Sequence, residues 1–438
     1  MLKRMFITGG SVLALALTVL IGGGCSKSSS TGPSSGGLGG VVTVTGKVVG
    51  QNGQAVASVP VVVPGKASTN TDASGNFSIA NVTTPYDISV VDATSKAALV
   101  YKGLTRTDPT LLFIGSSPGT SHTGSVSGKI SGGTFLPNQG ASDVTRVVFA
   151  SAETNGSANT AANGTFGAIN LSWFGPTATT GSLYALQFTA DAGGLPVASG
   201  YKGYGVRSGI AVNDGSTLTN QFDTLQTVTT SQFTGTVTVP SGYTLAAKLV
   251  YARVSQSAVI SLFSDNTANA ALSYYTPGIP GATLVLGAEA LKAGGGTAIT
   301  WKNALAIGAT GVSVNIVTPP ELSLPVNAAT GVDTTVTFTW TAMTGGVHLV
   351  VFTAGAGSPK YYVLTAGTSA TIPNMKPFGL GLPAVTAYSW QVYGFGPFGS
   401  VDAAAGSTGF ITGISVPLAA TGDVFVGLSA PRTFTTAP

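Results

Sequence analysis

The chain has 438 residues, only 8% of them charged, with 61 glycines and a single cysteine. So few charges leave no basic cluster of the kind that phosphate contacts need, which excludes nucleic-acid binding, and one thiol excludes a disulfide framework. Lys plus Arg number 19 against 15 Asp plus Glu, and loss of a leader carrying Lys3 and Arg4 leaves 17 against 15, so the remainder is nearly neutral. About 25% charged residues is usual for globular proteins, so this surface must be solvated mainly by hydroxyls and backbone. The chain opens with Lys3 and Arg4, then the apolar run SVLALALTVLI from Ser11 to Ile21, then Gly22 to Gly24 before Cys25. That run is too short for a bilayer core of ~30 Å, which takes about 20 residues. It has the layout of a secretory signal.

The stretch LIGGGCSKSSS resembles a bacterial lipoprotein signal, in which cleavage precedes a cysteine that already carries a diacylglycerol. Gly22 stands where that family favours an aliphatic residue, with Ile21 one step further back. Ser26, in place of Asp, resembles the sorting pattern of outer-membrane lipoproteins. The resemblance implies removal of residues 1–24, lipidation of Cys25 with palmitate-like acyl chains, and anchoring to the cell outer membrane, on its surface-exposed or its periplasmic side. Residues 26–40, SKSSSTGPSSGGLGG, form a Ser/Gly linker that cannot bury enough to fold. As a coil it spans on the order of 20 Å.

Beyond residue 40 short apolar or alternating runs such as VTVTGKVVG, TRVVFAS, LYALQFTA, KLVYARV and TVTFTWTA are separated by Gly, Asn, Asp and Pro turns. Val, Thr and aromatic enrichment with that punctuation predicts an all-β chain of tandem antiparallel β-sandwich domains. The first is expected over 41–120. Its GKVVGQNGQAVASVPVVVPG and TNTDASGNFSIANV resemble the carboxypeptidase regulatory-like domain, matched at Gly46, Gly53, Pro60 to Val63, Asp72, Gly75 and Phe77. That family implies a small seven-stranded sandwich that is an appendage, not a peptidase.

An internal repeat follows. Leu171 to Leu186 (LSWFGPTATTGSLYAL) matches Leu272 to Gly287 (LSYYTPGIPGATLVLG) without gaps, and TRVVFA at Thr145 matches AKLVYA at Ala247. Each copy opens on a Thr-Gly strand, at Thr123 and Thr234. Residues 121–230 and 231–318 are therefore read as two related sandwiches, arranged as beads on a string. Residues 319–438 resemble a bacterial fibronectin type III module, which implies core positions for Trp340, Trp390, Val392 and Phe434 and a corner position for Tyr388. An almost uncharged insertion at 400–430 departs from that family. Loops of this length are usually functional or disordered. Phe410, Ile411, Val424, Phe425 and Val426 are its candidate contact surface, with extra strands on the sandwich as the alternative.

The inventory of reactive groups is thin. His122 lies in a Gly/Ser hinge and His348 in a strand, neither with a carboxylate partner or metal-ligand spacing. GSSPG at Gly115 lacks the strand-to-helix elbow of a nucleophile, and GFGPFG at Gly394 opens no helix for a dinucleotide. Glu153, Glu289 and Glu321 are the only glutamates and pair with nothing recognisable. No catalytic residue, cofactor or metal is expected. Two functions fit: a non-catalytic interaction or adhesion scaffold whose partner is a protein or polysaccharide at the cell surface, and a carbohydrate-binding lipoprotein. The second rests on ring stacking by Tyr201, Tyr204, Tyr274, Tyr275, Tyr361 and Tyr362, for which burial in the sandwich core is the alternative. An accessory subunit of an outer-membrane transport or export assembly is compatible too. Cys25→Ala is expected to leave the domains folded and release the protein from the membrane fraction; unchanged retention contradicts lipidation.

Overall fold

The computed structural model describes residues 39–115, 119–131, 142–255, 258–407, 409 and 422–438, without the side chains of Ser199 and Phe222. The leader, Cys25, Phe410 and Ile411 lie outside them. The described chain is all-β, and its sheets, mainly antiparallel with a few parallel pairs, pack as sandwiches.

The first sandwich has strands β1 (Val41–Val49), β2 (Pro60–Val62), β3 (Thr69–Asn70), β4 (Asn76–Thr83), β5 (Tyr86–Asp92), β6 (Ala97–Leu104) and β7 (Thr110–Leu112). Strands β4, β1 and β7 form one sheet, and β3, β2, β5 and β6 form the other. Period-two alternation turns Phe77 and Ile79 inward along β4, and an irregularity of register after Ile79 brings Val82 inward as well. The turn before β4 is set by Asp72, whose Oδ1 accepts the amides of Ser74 and Asn76, each at 2.8 Å. Gly75 supplies the positive φ.

The second sandwich runs through β8 (Ser121–Ser131), β9 (Asp143–Ser151), β10 (Asn155–Asn159), β11 (Thr165–Phe174), β12 (Ala178–Ala190), β13 (Pro196–Asn213) and β14 (Ser216–Thr224), with the short β15 (Gln226–Thr227) beside β13. The third has β16 (Thr230–Thr238), β17 (Tyr243–Arg253), β18 (Val259–Asp265), β19 (Ala271–Pro277), β20 (Thr283–Lys292), β21 (Thr297–Leu305) and β22 (Val312–Asn315). Strand order is the same in all three. A fourth–first–seventh sheet faces a third–second–fifth–sixth sheet.

The repeat is therefore threefold, and the first sandwich is its third copy. The shared residues are Thr45-Gly46-Lys47-Val48, Thr123-Gly124-Ser125-Val126 and Thr234-Gly235-Thr236-Val237. Each glycine pairs with the first residue of an apolar-Ser-apolar block: Gly46 with Phe77, Gly124 with Leu171, Gly235 with Leu272. One sequence match slips. Phe149 faces inward opposite Leu183, whereas Tyr251 faces outward and its neighbour Ala252 stands opposite Leu284. A one-residue offset exchanges the two faces of a strand.

The fourth sandwich comprises β23 (Leu322–Leu324), β24 (Ala329–Val332), β25 (Phe338–Trp340), β26 (Val347–Ala354), β27 (Lys360–Thr365), β28 (Ser369–Ala370), β29 (Ala387–Gly396), α1 (Val401–Ala404), β30 (Val424–Leu428) and β31 (Arg432–Thr436). Trp340, Tyr388, Trp390, Val392 and Phe434 are all buried in its core, where Phe338 meets Trp390 edge-on at 4.9 Å.

The beads-on-a-string picture is corrected by strand pairing across the sandwiches. β27 pairs in parallel with β6, from Lys360 opposite Ala97 to Leu364 opposite Tyr101. β30 lies antiparallel between β29 and β21. One 14-stranded sheet thus joins the first, third and fourth sandwiches. The outer face of the second, through Val148, Ala150, Leu186, Phe188 and Tyr201, packs into the core of the third. The expectation for Val424, Phe425 and Val426 as an outward contact surface is corrected as well: they form β30, Val424 is only 7% exposed, and the Phe425 ring covers Gly396. Two strands of the one sheet, β21 and β29, flank this strand, so its apolar residues have partners within the chain. Val424→Asn buries an amide without partners at that seam and is expected to cost about 1 to 3 kcal/mol, read as a lower thermal midpoint; an unchanged midpoint contradicts the seam.

Candidate functional site

The chemistry-bearing side chains are held at seams and hairpins. His122 in β8 lies opposite Trp173, with ring centroids 5.8 Å apart. Its Nδ1 is 3.1 Å from an Asp214 carboxylate oxygen and its Nε2 is 3.2 Å from the Gly175 carbonyl. The hinge histidine thus has the carboxylate partner that its sequence surroundings lack, because the β13–β14 turn brings Asp214 to it. The Thr123 amide donates to Asp214 at 2.9 Å; with His122 it holds that carboxyl below its ordinary range. His348 is buried in β26, and its Nε2 accepts the Met343 amide at 3.0 Å. Burial pushes its pKa down, so the ring is a neutral acceptor. Both histidines brace the backbone.

Lys248 is 0% exposed, yet its ammonium is saturated: Asp265 at 2.7 Å, the Ala271 carbonyl at 3.2 Å and the Asn269 carbonyl. A buried charge persists only when paired and hydrogen-bonded in this way. Lys202 bonds Asp143, which also accepts the Thr189 hydroxyl. Among the described residues no three His, Cys, Asp or Glu gather as a metal site.

The most developed polar cluster joins the fourth sandwich to the first. Asp402, in α1, accepts the amides of Thr105 and Arg106 at 2.8 and 2.9 Å and the Thr105 hydroxyl at 2.5 Å. Arg106 donates back to the Asp402 carbonyl at 2.8 Å and pairs with Asp108. The Thr110 amide donates to the Ala405 carbonyl at 2.7 Å, and Lys96 Nζ to the Gly357 carbonyl at 2.8 Å. Sequence reading missed this cluster; its only signal was an acidic residue inside the uncharged insertion.

The tyrosines are separated by burial. Tyr201, Tyr274, Tyr361 and Tyr362 are buried, Tyr204 is half-buried, and only Tyr275 presents much surface, at 42%. The Tyr201 hydroxyl donates to the Tyr275 carbonyl at 3.2 Å and the Tyr361 hydroxyl to Leu380 at 3.0 Å. For Tyr201, Tyr274, Tyr361 and Tyr362 the core-packing alternative holds, and a ring that packs the core cannot receive a glycan. Gly394 and Gly396 of GFGPFG admit Met343 and Phe425, whose atoms lie 2.1 and 2.0 Å from where a Cβ would stand.

No family model matches the sequence, and no curated protein does. Solved structures with some likeness include the TIE protein of Bacillus anthracis, at 10% identity and TM-score 0.15, over 63% of this chain and 49% of that one. This chain thus spans about half of that protein. Two B repeat units of the collagen-binding protein of Staphylococcus aureus match at 10% identity and TM-score 0.12, over 81% and 93% of the two chains. The FN1–FN3 domains of chicken CNTN1 match at 9% and 0.16, over 73% and 100%. Scores this low show neither a shared fold nor a shared function.

Among the described residues, the carboxylate of Asp223 is left without full compensation. Asp223 in β14 has a buried Oδ2 with no hydrogen-bond partner, while its Oδ1 accepts the Thr224 amide at 2.8 Å. Burial pushes its pKa up to about 6, from 3.8. The folded chain then holds this proton more tightly than the unfolded one, so stability falls as pH rises from about 4 to about 6. Asp223→Asn is expected to flatten that fall in denaturation midpoints taken across the window; an unchanged slope contradicts the burial of Asp223.

Proposed function

We propose that the protein is a lipid-anchored, non-catalytic scaffold of β-sandwiches on the outer membrane, whose partner is a protein or polysaccharide at the cell surface. The observation that carries this reading is the use made of its reactive groups: His122, His348, Lys248 and Asp402 are each engaged in holding strands or sandwiches together. The leader and Cys25 support an anchor, and the Ser/Gly linker supports a fold held just clear of the headgroups. The clasp between the fourth sandwich and the first makes the anchored object a folded-back cluster, in which surface and not reach is on offer. Burial of four of the six candidate tyrosines weighs against the carbohydrate reading.

Protease added to intact cells is the test. Loss of the full-length band without permeabilisation is expected; protection until the outer membrane is opened contradicts a surface-exposed scaffold.

A further inference from the structure

In each repeat the strand that brings the chain in and the strand that takes it out are neighbours, and they run in the same direction. β1 pairs in parallel with β7, β8 with β14, and β16 with β22. The register is common to all three: Val48 opposite Leu111, Val126 opposite Leu218, Val237 opposite Val314. In the fourth sandwich it is the second strand, β24, that pairs in parallel with the last, β31.

Strand direction decides how such a pair meets tension. In an antiparallel terminal pair the incoming and outgoing ends lie at one end of the ladder, so a pull peels the hydrogen bonds singly. In a parallel pair they lie at opposite ends, and the evenly spaced bonds are loaded together along the strand axis. We propose that each of the three repeats is built to resist tension, clamped in shear by the parallel pair of its first and seventh strands.

The clamps extend past the paired strands at both ends. In the first sandwich the Thr45 amide donates to Thr107 at 2.8 Å and the Phe113 amide to Val49 at 2.8 Å. In the second, Gly215 donates to Thr123 at 2.7 Å and Leu225 to Ser131 at 3.0 Å. In the third, Thr234 donates to Ala309 at 3.1 Å and Ile316 to Thr238 at 2.9 Å. A side chain on the first strand would push the last one away: a Cβ on Gly235 would stand 2.1 Å from the Val312 carbonyl, and one on Gly46 would stand 2.5 Å from that of Pro109.

The test pulls one sandwich in two directions, in the full chain carrying Cys25→Ala. Handles at Gln232→Cys and Asn315→Cys load the β16–β22 ladder along its length. Handles at Thr238→Cys and Asn315→Cys, which face each other in register, open it from one end. All three positions are exposed, so the core is untouched. Forced unfolding reports the unfolding barrier, and the lengthwise geometry is expected to require severalfold higher force at one loading rate. The same contrast applies in the second sandwich, with Thr123 and Thr224 against Ser131 and Thr224, the latter in register. Equal forces in both geometries overturn the proposal, as does a lengthwise force no higher than that needed to unzip.

Discussion

A sheet edge is a row of unsatisfied amides and carbonyls, and the need to cover one edge organises this molecule. In each repeat that edge is the outer side of the sixth strand. β6 receives β27, β13 receives β15, and β21 receives β30. Two of the three covering strands come from the last sandwich, so closing the edges also draws the end of the chain back onto its beginning. The main-chain bonds are those of strand addition between proteins, used here within one chain. Asp402 and Arg106 then fix the orientation of the joined pieces, since a carboxylate accepting two amides tolerates little rotation.

Within each repeat the closest approach is made by a glycine. Gly46, Gly124 and Gly235 sit where the first strand meets the fourth and seventh, and the space a side chain would need is taken by Phe77, by Val212 and by the Val312 backbone. Close approach of this kind is a common reason for glycine inside a strand. It lets Val48, Val126 and Val237 reach the core beside the last strand. The parallel terminal pairs and the sandwich cores therefore rest on the same positions.

The all-β class and the core of the last sandwich were legible because alternation is local: Trp340, Trp390, Val392 and Phe434 could be turned inward from their own neighbours. The third copy of the repeat was not, since the common residues are a four-residue Thr-Gly-x-Val block at unequal spacing, and their meaning lies in which residue stands opposite. The match between TRVVFA and AKLVYA read well as letters and was out of phase by one residue. Composition could mark Val424 to Val426 as apolar, yet an apolar strand carries no record of whether its partner is in the same chain. The same holds for His122 and Asp214, which only the turn from β13 to β14, crossing between sheets, brings together, and for the tyrosines, whose burial depends on sandwiches distant in sequence.

Closure of the last sandwich onto the first is the claim to test most directly. The Lys360 amide donates to the Lys96 carbonyl at 2.8 Å, and both residues lie at the β6–β27 seam. A short amine-reactive reagent applied to the dilute monomer, followed by mass spectrometry of the peptides, is predicted to give an abundant Lys96–Lys360 cross-link. Its absence from a monomer that reacts at both lysines would mean that the sandwiches stand apart.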